Sequence, residues 1–173
     1  MPKVIKHIFV DNWELSAAAS ERGKFEVNVL FTNPKGTLAA LRTAGALARD
    51  LDATIRVLAV QTVPFVFSLE RPTVSTAFTE QLLLDLVRQE VQGSIETTAH
   101  LYLCRDQLDT LGQVLAPNSL VVIGGWRSWW PTDAAWIARM LRSIGHQVIW
   151  ANSTGGTHAR HLLHSDRDAI LRR

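Results

Sequence analysis

Leu120-Val121-Val122-Ile123 is apolar at every position and runs into Gly124-Gly125. A strand that is apolar throughout is buried on both faces, and a strand buried on both faces belongs to a sheet covered on both sides. The two glycines predict a tight turn or a close approach of backbone to some other group. In open α/β sheets, ligands bind just beyond the carboxyl ends of such strands. Here the following loop is aromatic, with Trp126, Trp129 and Trp130 set around Arg127 and Ser128 before Pro131.

From residue 25 to residue 151, strand-like and helix-like patterns alternate, which is the signature of a parallel sheet with helices on both faces. Residues 27–32 read as a strand, and Asn33-Pro34-Lys35-Gly36 reads as a turn. Thr37 is expected to cap a helix that places Leu38, Leu41, Ala44, Ala48 and Leu51 on one face. Residues 53–60 form a second strand. The long connection 61–77 contains Pro64 and Pro72, and its Phe65, Val66 and Phe67 are expected to pack over the domain or a second subunit.

A helix is expected over 78–94, with Leu84, Val87, Val91 and Ile95 on a common stripe. A third strand follows over 99–104. Asp106 is placed to cap a short helix carrying Leu108, Leu111 and Leu115. After the fourth strand, 118–123, Pro131-Thr132 opens the last helix, read as burying Trp136, Ile137, Met140, Leu141 and Ile144 and ending at Gly145. Residues 147–151 are the fifth strand. The expected fold class is therefore α/β: a five-stranded, mostly parallel, doubly wound open sheet with helices on both faces. Residues 1–24 stand apart as an N-terminal arm or extra edge strand, and 152–173 as a flexible basic tail or short helix.

The chain has 173 residues, 47% of them apolar, enough for a core without disulfides or metal. The single cysteine, Cys104, has no internal disulfide partner and reads as a buried small hydrophobe. No stretch approaches the roughly 18 uninterrupted apolar residues of a membrane span, and no secretory pattern opens the chain, so a cytoplasmic location is expected. A net charge of +2, with basic residues scattered outside the tail, lacks the clustering of a nucleic-acid footprint.

The element order over residues 25–151, with Leu47-Ala48-Arg49-Asp50-Leu51-Asp52-Ala53 before the second strand and Ala138-Arg139-Met140-Leu141-Arg142 before the fifth, resembles the universal stress protein family. In nucleotide-binding members of that family an Asp closes the first strand. The fourth strand ends in Gly-x-x-Gly, and a Gly-Ser or Gly-Thr pair follows at the next helix start. Glycines there let backbone N–H groups reach phosphates, and the helix terminus favours their charge.

In this chain Thr32 or Asn33 stands at the Asp position. Gly124 matches the first glycine, Arg127 stands at the second, and Ala134-Ala135 replace the later pair. Three of the four features are absent, so the resemblance implies a nucleotide cleft that is altered or lost, with no cofactor expected and ATP or AMP as the alternative. The run from Pro117 through Gly124-Gly125 to Trp129 is also similar to the equivalent strand and loop of the soluble regulatory domains of cation-chloride cotransporters.

The candidate ligand-binding residues are Thr32, Asn33, Val60, Gly124, Gly125, Arg127, Ser128 and Thr132. Trp126, Trp129 and Trp130 read as a plug filling the cleft, a protein interface or an aromatic ligand pocket. Val148, Ile149 and Trp150 on the last strand make an edge that pairs with a second copy unless covered, as relatives of the family often do. His158, His161 and His164 repeat every third residue, a spacing that does not converge on a metal, and no metal site is assigned. No catalytic constellation is present. The function expected is that of a non-enzymatic, homodimeric regulatory or interaction domain. The alternatives are a nucleotide- or small-anion-binding protein, including a slow ATPase, using the modified loop, and a soluble regulatory domain of a transport system.

Overall fold

Parallel strands must be apolar on both faces if helices are to cover both, and alternate residues of this sheet do enter two separate cores. The computed structural model describes residues 25–69, 75–91, 95–125 and 132–153, and the backbone of 5–11. Five strands run parallel: β2 (Glu26–Leu30), β3 (Thr54–Thr62), β4 (Thr97–Cys104), β5 (Leu120–Gly125) and β6 (Gln147–Asn152). Between them lie α1 (Pro34–Leu51), α2 (Thr76–Glu90), α3 (Gln107–Val114) and α4 (Asp133–Ser143). A sixth strand, β1 (Ile5–Asp11), pairs antiparallel with β4 and gives the order β1-β4-β3-β2-β5-β6. The α/β class and the five parallel strands are as expected. The strand within the N-terminal segment occupies the edge opposite β6.

On one face Val27, Val29, Ile55, Val57 and Leu101 pack with Leu41, Ala44 and Ala48 of α1 and Leu83, Leu86 and Val87 of α2. On the other, Leu30, Leu58, Val121 and Ile123 pack with Leu111 of α3 and Ile137, Ala138 and Leu141 of α4. Each fully buried Leu, Ile or Val contributes about 1.5–3 kcal/mol of transfer free energy, so these two layers dominate the stabilising side of folding. The second face also holds a polar tract. Arg56 donates to the Tyr102 hydroxyl at 2.9 Å, to Glu26 Oε1 at 3.3 Å and to the Val114 carbonyl at 3.3 Å. Burial works against its charge, but the Tyr102 and Glu26 contacts outweigh that and hold its pKa above the ordinary value.

Several local expectations are corrected. α1 begins at Pro34, with Asn33 as its cap, because Asn33 Oδ1 accepts from the Gly36 N–H at 2.8 Å and Pro34 sits where a missing N–H is harmless. Thr37 lies inside the helix and is buried. Leu51, expected on the buried face, is exposed. Gly124 and Gly125 do not turn the chain; they extend β5 and pair with Ala151 and Asn152 of β6. Only the close-approach reading of the glycines survives.

α2 buries Leu83, Leu86 and Val87, and it ends at Glu90 with Val91 extended, so Ile95 is not on the helix at all. α4 buries Ala134, Ile137, Ala138 and Leu141, while Trp136 and Ile144 face outward at 49% and 56% exposure. The i, i+3, i+4, i+7 set containing two alanines lets this helix lie close to the sheet, which Trp136 could not. Gly145, at φ +98°, ends the helical segment as expected.

In the segment after β3, Val63 and Leu69 are buried, but Phe65 and Val66 are each 84% exposed. Phe65 and Val66 are therefore not packed into either core of the domain. No helix among the described residues is long and apolar enough to cross a membrane. The tryptophan loop and the three tail histidines lie outside the described residues.

Candidate functional site

The carboxyl ends of β2, β3 and β5 point the same way, and the helices that follow begin above them. A cleft of about 480 Å³ opens at that edge. β2 and its exit supply Phe31, Thr32 and Asn33, and β3 supplies Ala59, Val60 and Gln61. Leu101 comes from β4 and Gly125 from β5. Thr79 in the first turn of α2, Gln107 at the start of α3, and Thr132, Asp133, Ala134 and Ile137 at the start of α4 complete it. The position is the topological switch point, where β3 and β5 flank β2 and connections leave in opposite directions.

Thr32 and Asn33 line the cleft, and both are also bound into the fold. The Thr32 hydroxyl donates to the Gly124 carbonyl at 2.8 Å, and its N–H donates to Thr37 Oγ1 at 3.4 Å. Asn33 caps α1 through its side chain, and its carbonyl accepts from the Thr37 N–H at 2.8 Å. With Pro34 lacking an N–H, the first turn of α1 has few donors left for an anion. At α4 the Thr132 Oγ1 accepts from the Ala135 N–H at 3.2 Å, and Asp133 adds a carboxylate to the first turn. A carboxylate in the first turn is favoured by the same helix field that favours a phosphate.

Of the residues anticipated as ligand-binding, Thr32, Asn33, Val60, Gly125 and Thr132 are brought together around the cleft. Gly124 is not in its lining. It is packed beneath against α1, where a Cβ would lie 1.7 Å from the Gly36 carbonyl oxygen. Arg127 and Ser128, like Trp126, Trp129 and Trp130, lie outside the described residues. Val148, Ile149 and Trp150 sit on the edge strand, half-buried, with Val148 and Trp150 against the α4 core and Ile149 against the α1 core. The Trp150 ring also lies over Gly125, within 2.8 Å of where a Cβ would project.

Gln61, Thr79, Gln107 and Asp133 were not anticipated. Their signal was positional: each follows from asking which residues end a parallel strand or open the next helix. Cys104 is fully buried, and burial pushes its thiol pKa up, which is the setting of an inert thiol. Among the described residues no group of His, Cys, Asp and Glu is placed to hold a metal ion.

No family model matches the sequence, and no curated protein matches it. Among solved structures the chain is similar to the universal stress protein from Archaeoglobus fulgidus, at 17% identity and a TM-score of 0.53, over 73% of this chain and 93% of that one. It is also similar to a universal stress protein family member from Burkholderia pseudomallei, at 17% identity and a TM-score of 0.48, over 72% and 93%. The fold assignment rests on the first of these, and the chain has the universal stress protein fold.

Proposed function

We propose that the chain is a non-enzymatic regulatory or interaction domain, homodimeric, in which the nucleotide cleft of the stress-protein fold is altered. One observation carries this reading. The two polar side chains at the end of β2, where the resemblance puts a ligand-binding Asp, are engaged in the fold, Thr32 with Gly124 and Asn33 with Gly36. Asp133 at the start of α4 adds negative charge where a nucleotide would bring its own. Isothermal titration with ATP, ADP and AMP tests it. The expected result is no binding at micromolar concentration, and micromolar affinity for any of them would favour a nucleotide-binding protein instead.

Support for the dimer comes from β6. It is the outermost parallel strand, and a half-buried apolar edge of Val148, Ile149 and Trp150 favours pairing with a second copy. Trp136 of the adjacent α4 and Ile144, its C-cap, extend exposed apolar surface on the same side of the sheet order. Light scattering at tens of micromolar is expected to give twice the chain mass, and a clean monomer overturns the dimer.

A further inference from the structure

The cleft has a chemical character of its own, which bears on what it holds. Part of its lining is apolar, contributed by Val60, Leu101 and Ile137. Gln61, Thr79 and Gln107 also line it, neutral groups that each both donate and accept hydrogen bonds. Such groups match hydroxyls, which also do both, better than they match the acceptor-only oxygens of a phosphate. The one charged side chain among the described lining residues is Asp133, which accepts only.

Building on the proposed loss of nucleotide binding, we infer that this cleft takes a neutral polyhydroxyl molecule with an apolar face, of the sugar or nucleoside class, and discriminates against its phosphate ester. Asp133 accepts hydrogen bonds from adjacent hydroxyls of the ligand, and the Gln and Thr side chains serve the remainder. The apolar part of the lining takes the ring face. Two features oppose the phosphate: the Asp133 carboxylate repels it, and the first turns of α1 and α4 already have N–H groups taken by Asn33 and Thr132. The cleft volume of about 480 Å³ lies within the range of small-molecule sites.

The test uses matched pairs that differ by one phosphate: adenosine with AMP, and ribose with ribose 5-phosphate, titrated calorimetrically into the full chain. At least one neutral member is expected to bind about ten times more tightly than its ester, following from like-charge repulsion at close range. Asp133→Asn, on an exposed first-turn position, is expected to narrow that ratio by raising ester affinity while circular dichroism stays unchanged. An ester that binds as tightly as its neutral partner overturns the inference, as does the absence of saturable binding by both neutral compounds at millimolar concentration. Absence of binding leaves the regulatory reading standing, whereas micromolar binding of AMP overturns that reading too.

Discussion

The carbonyl oxygen of Gly36 occupies the place where a side chain on residue 124 would begin: a Cβ built on Gly124 lies 1.7 Å from it, and one built on Gly36 lies 2.5 Å from the Gly124 oxygen. The first turn of α1 thus rests directly on the backbone of β5, and the Thr32 hydroxyl is bonded to the same Gly124 carbonyl. Neither contact atom is the far end of a flexible side chain, so backbone must move if either glycine gains a methyl. Gly124→Ala and Gly36→Ala are each expected to destabilise by about 1–3 kcal/mol or more, as overpacking does. Gly45→Ala, in α1 with nothing within 4 Å of its Cβ, is expected to stabilise by about 0.5–1 kcal/mol. Urea denaturation midpoints of the three variants decide it; an unchanged Gly124→Ala midpoint would refute the contact.

Asn33 holds the start of α1. Its replacement by Ala is expected to cost about 1 kcal/mol, since the Gly36 N–H loses its acceptor. Asn33→Asp retains the acceptor and is expected to match the native chain, because Asp caps as well as Asn. If Asn33→Ala were neutral in chemical denaturation, the cap would have to lie elsewhere, and Thr37 would return as the candidate.

The outward and inward halves of α4 are predicted to respond very differently to truncation. Ile137→Ala and Leu141→Ala remove buried side chains and are expected to cost about 2–5 kcal/mol. Trp136→Ala and Ile144→Ala remove exposed ones and are expected to change stability by less than about 0.5 kcal/mol, provided stability is measured at dilution below dimer formation. Equal losses at Trp136 and Ile137 would mean that the helix is rotated from the orientation described.

These contrasts show what the amino-acid order makes legible. Strand identity was readable because Leu120–Ile123 and Val27–Leu30 lie in one sheet covered on both sides, where almost every residue is apolar; buried Asn28 is the exception, its amide donating to the Leu120 carbonyl. Asp106 was readable as a cap because its bond, to the Asp109 N–H, is local. The α4 face was not, because Trp136 and Ile144 are as apolar as the residues they were grouped with, and apolarity alone does not say which side the sheet lies on. At the start of α1, Asn33 and Thr37 are both good caps, and the decisive clue was Pro34. The cleft was half legible. Thr32, Gly125 and Thr132 follow from local pattern, but Gln61, Thr79 and Gln107 come from three separate elements and meet only through topology.

The Cys104 thiol predicts an alkaline dependence of stability. Burial raises its folded-state pKa, while hydrogen bonds with Thr110 and Thr62 oppose the rise in part. The unfolded chain therefore ionises first as pH rises, and it binds fewer protons than the native state across that window. Stability is fully present below the ordinary thiol range and falls as pH climbs from there through the raised folded value. Cys104→Ala is expected to lower stability at neutral pH by a packing loss but to flatten the alkaline fall. Rapid labelling of the native thiol by an aromatic disulfide at neutral pH would contradict the buried, raised-pKa setting.

Arg105 fixes the exposed turn after β3. Its guanidinium donates to the carbonyls of Val63, Pro64 and Phe67 and lies 5.0 Å from the centre of the Phe65 ring. Backbone carbonyls that α-helix or sheet would otherwise satisfy are thus held by one side chain from the end of β4, and Phe65 and Val66 remain outside the core. Arg105→Ala removes all of these contacts without opening a cavity in either apolar layer. Chymotrypsin cleavage at Phe65 or Phe67 is therefore expected to accelerate several-fold, while the global urea midpoint moves by no more than the equivalent of about 1.5–3 kcal/mol for charged hydrogen bonds lost. Arg105→Lys retains the charge but not the fork that reaches several carbonyls at once, and is expected to cleave at an intermediate rate. If Arg105→Ala is cleaved no faster than the native chain, the turn is held by Val63 and Leu69 alone.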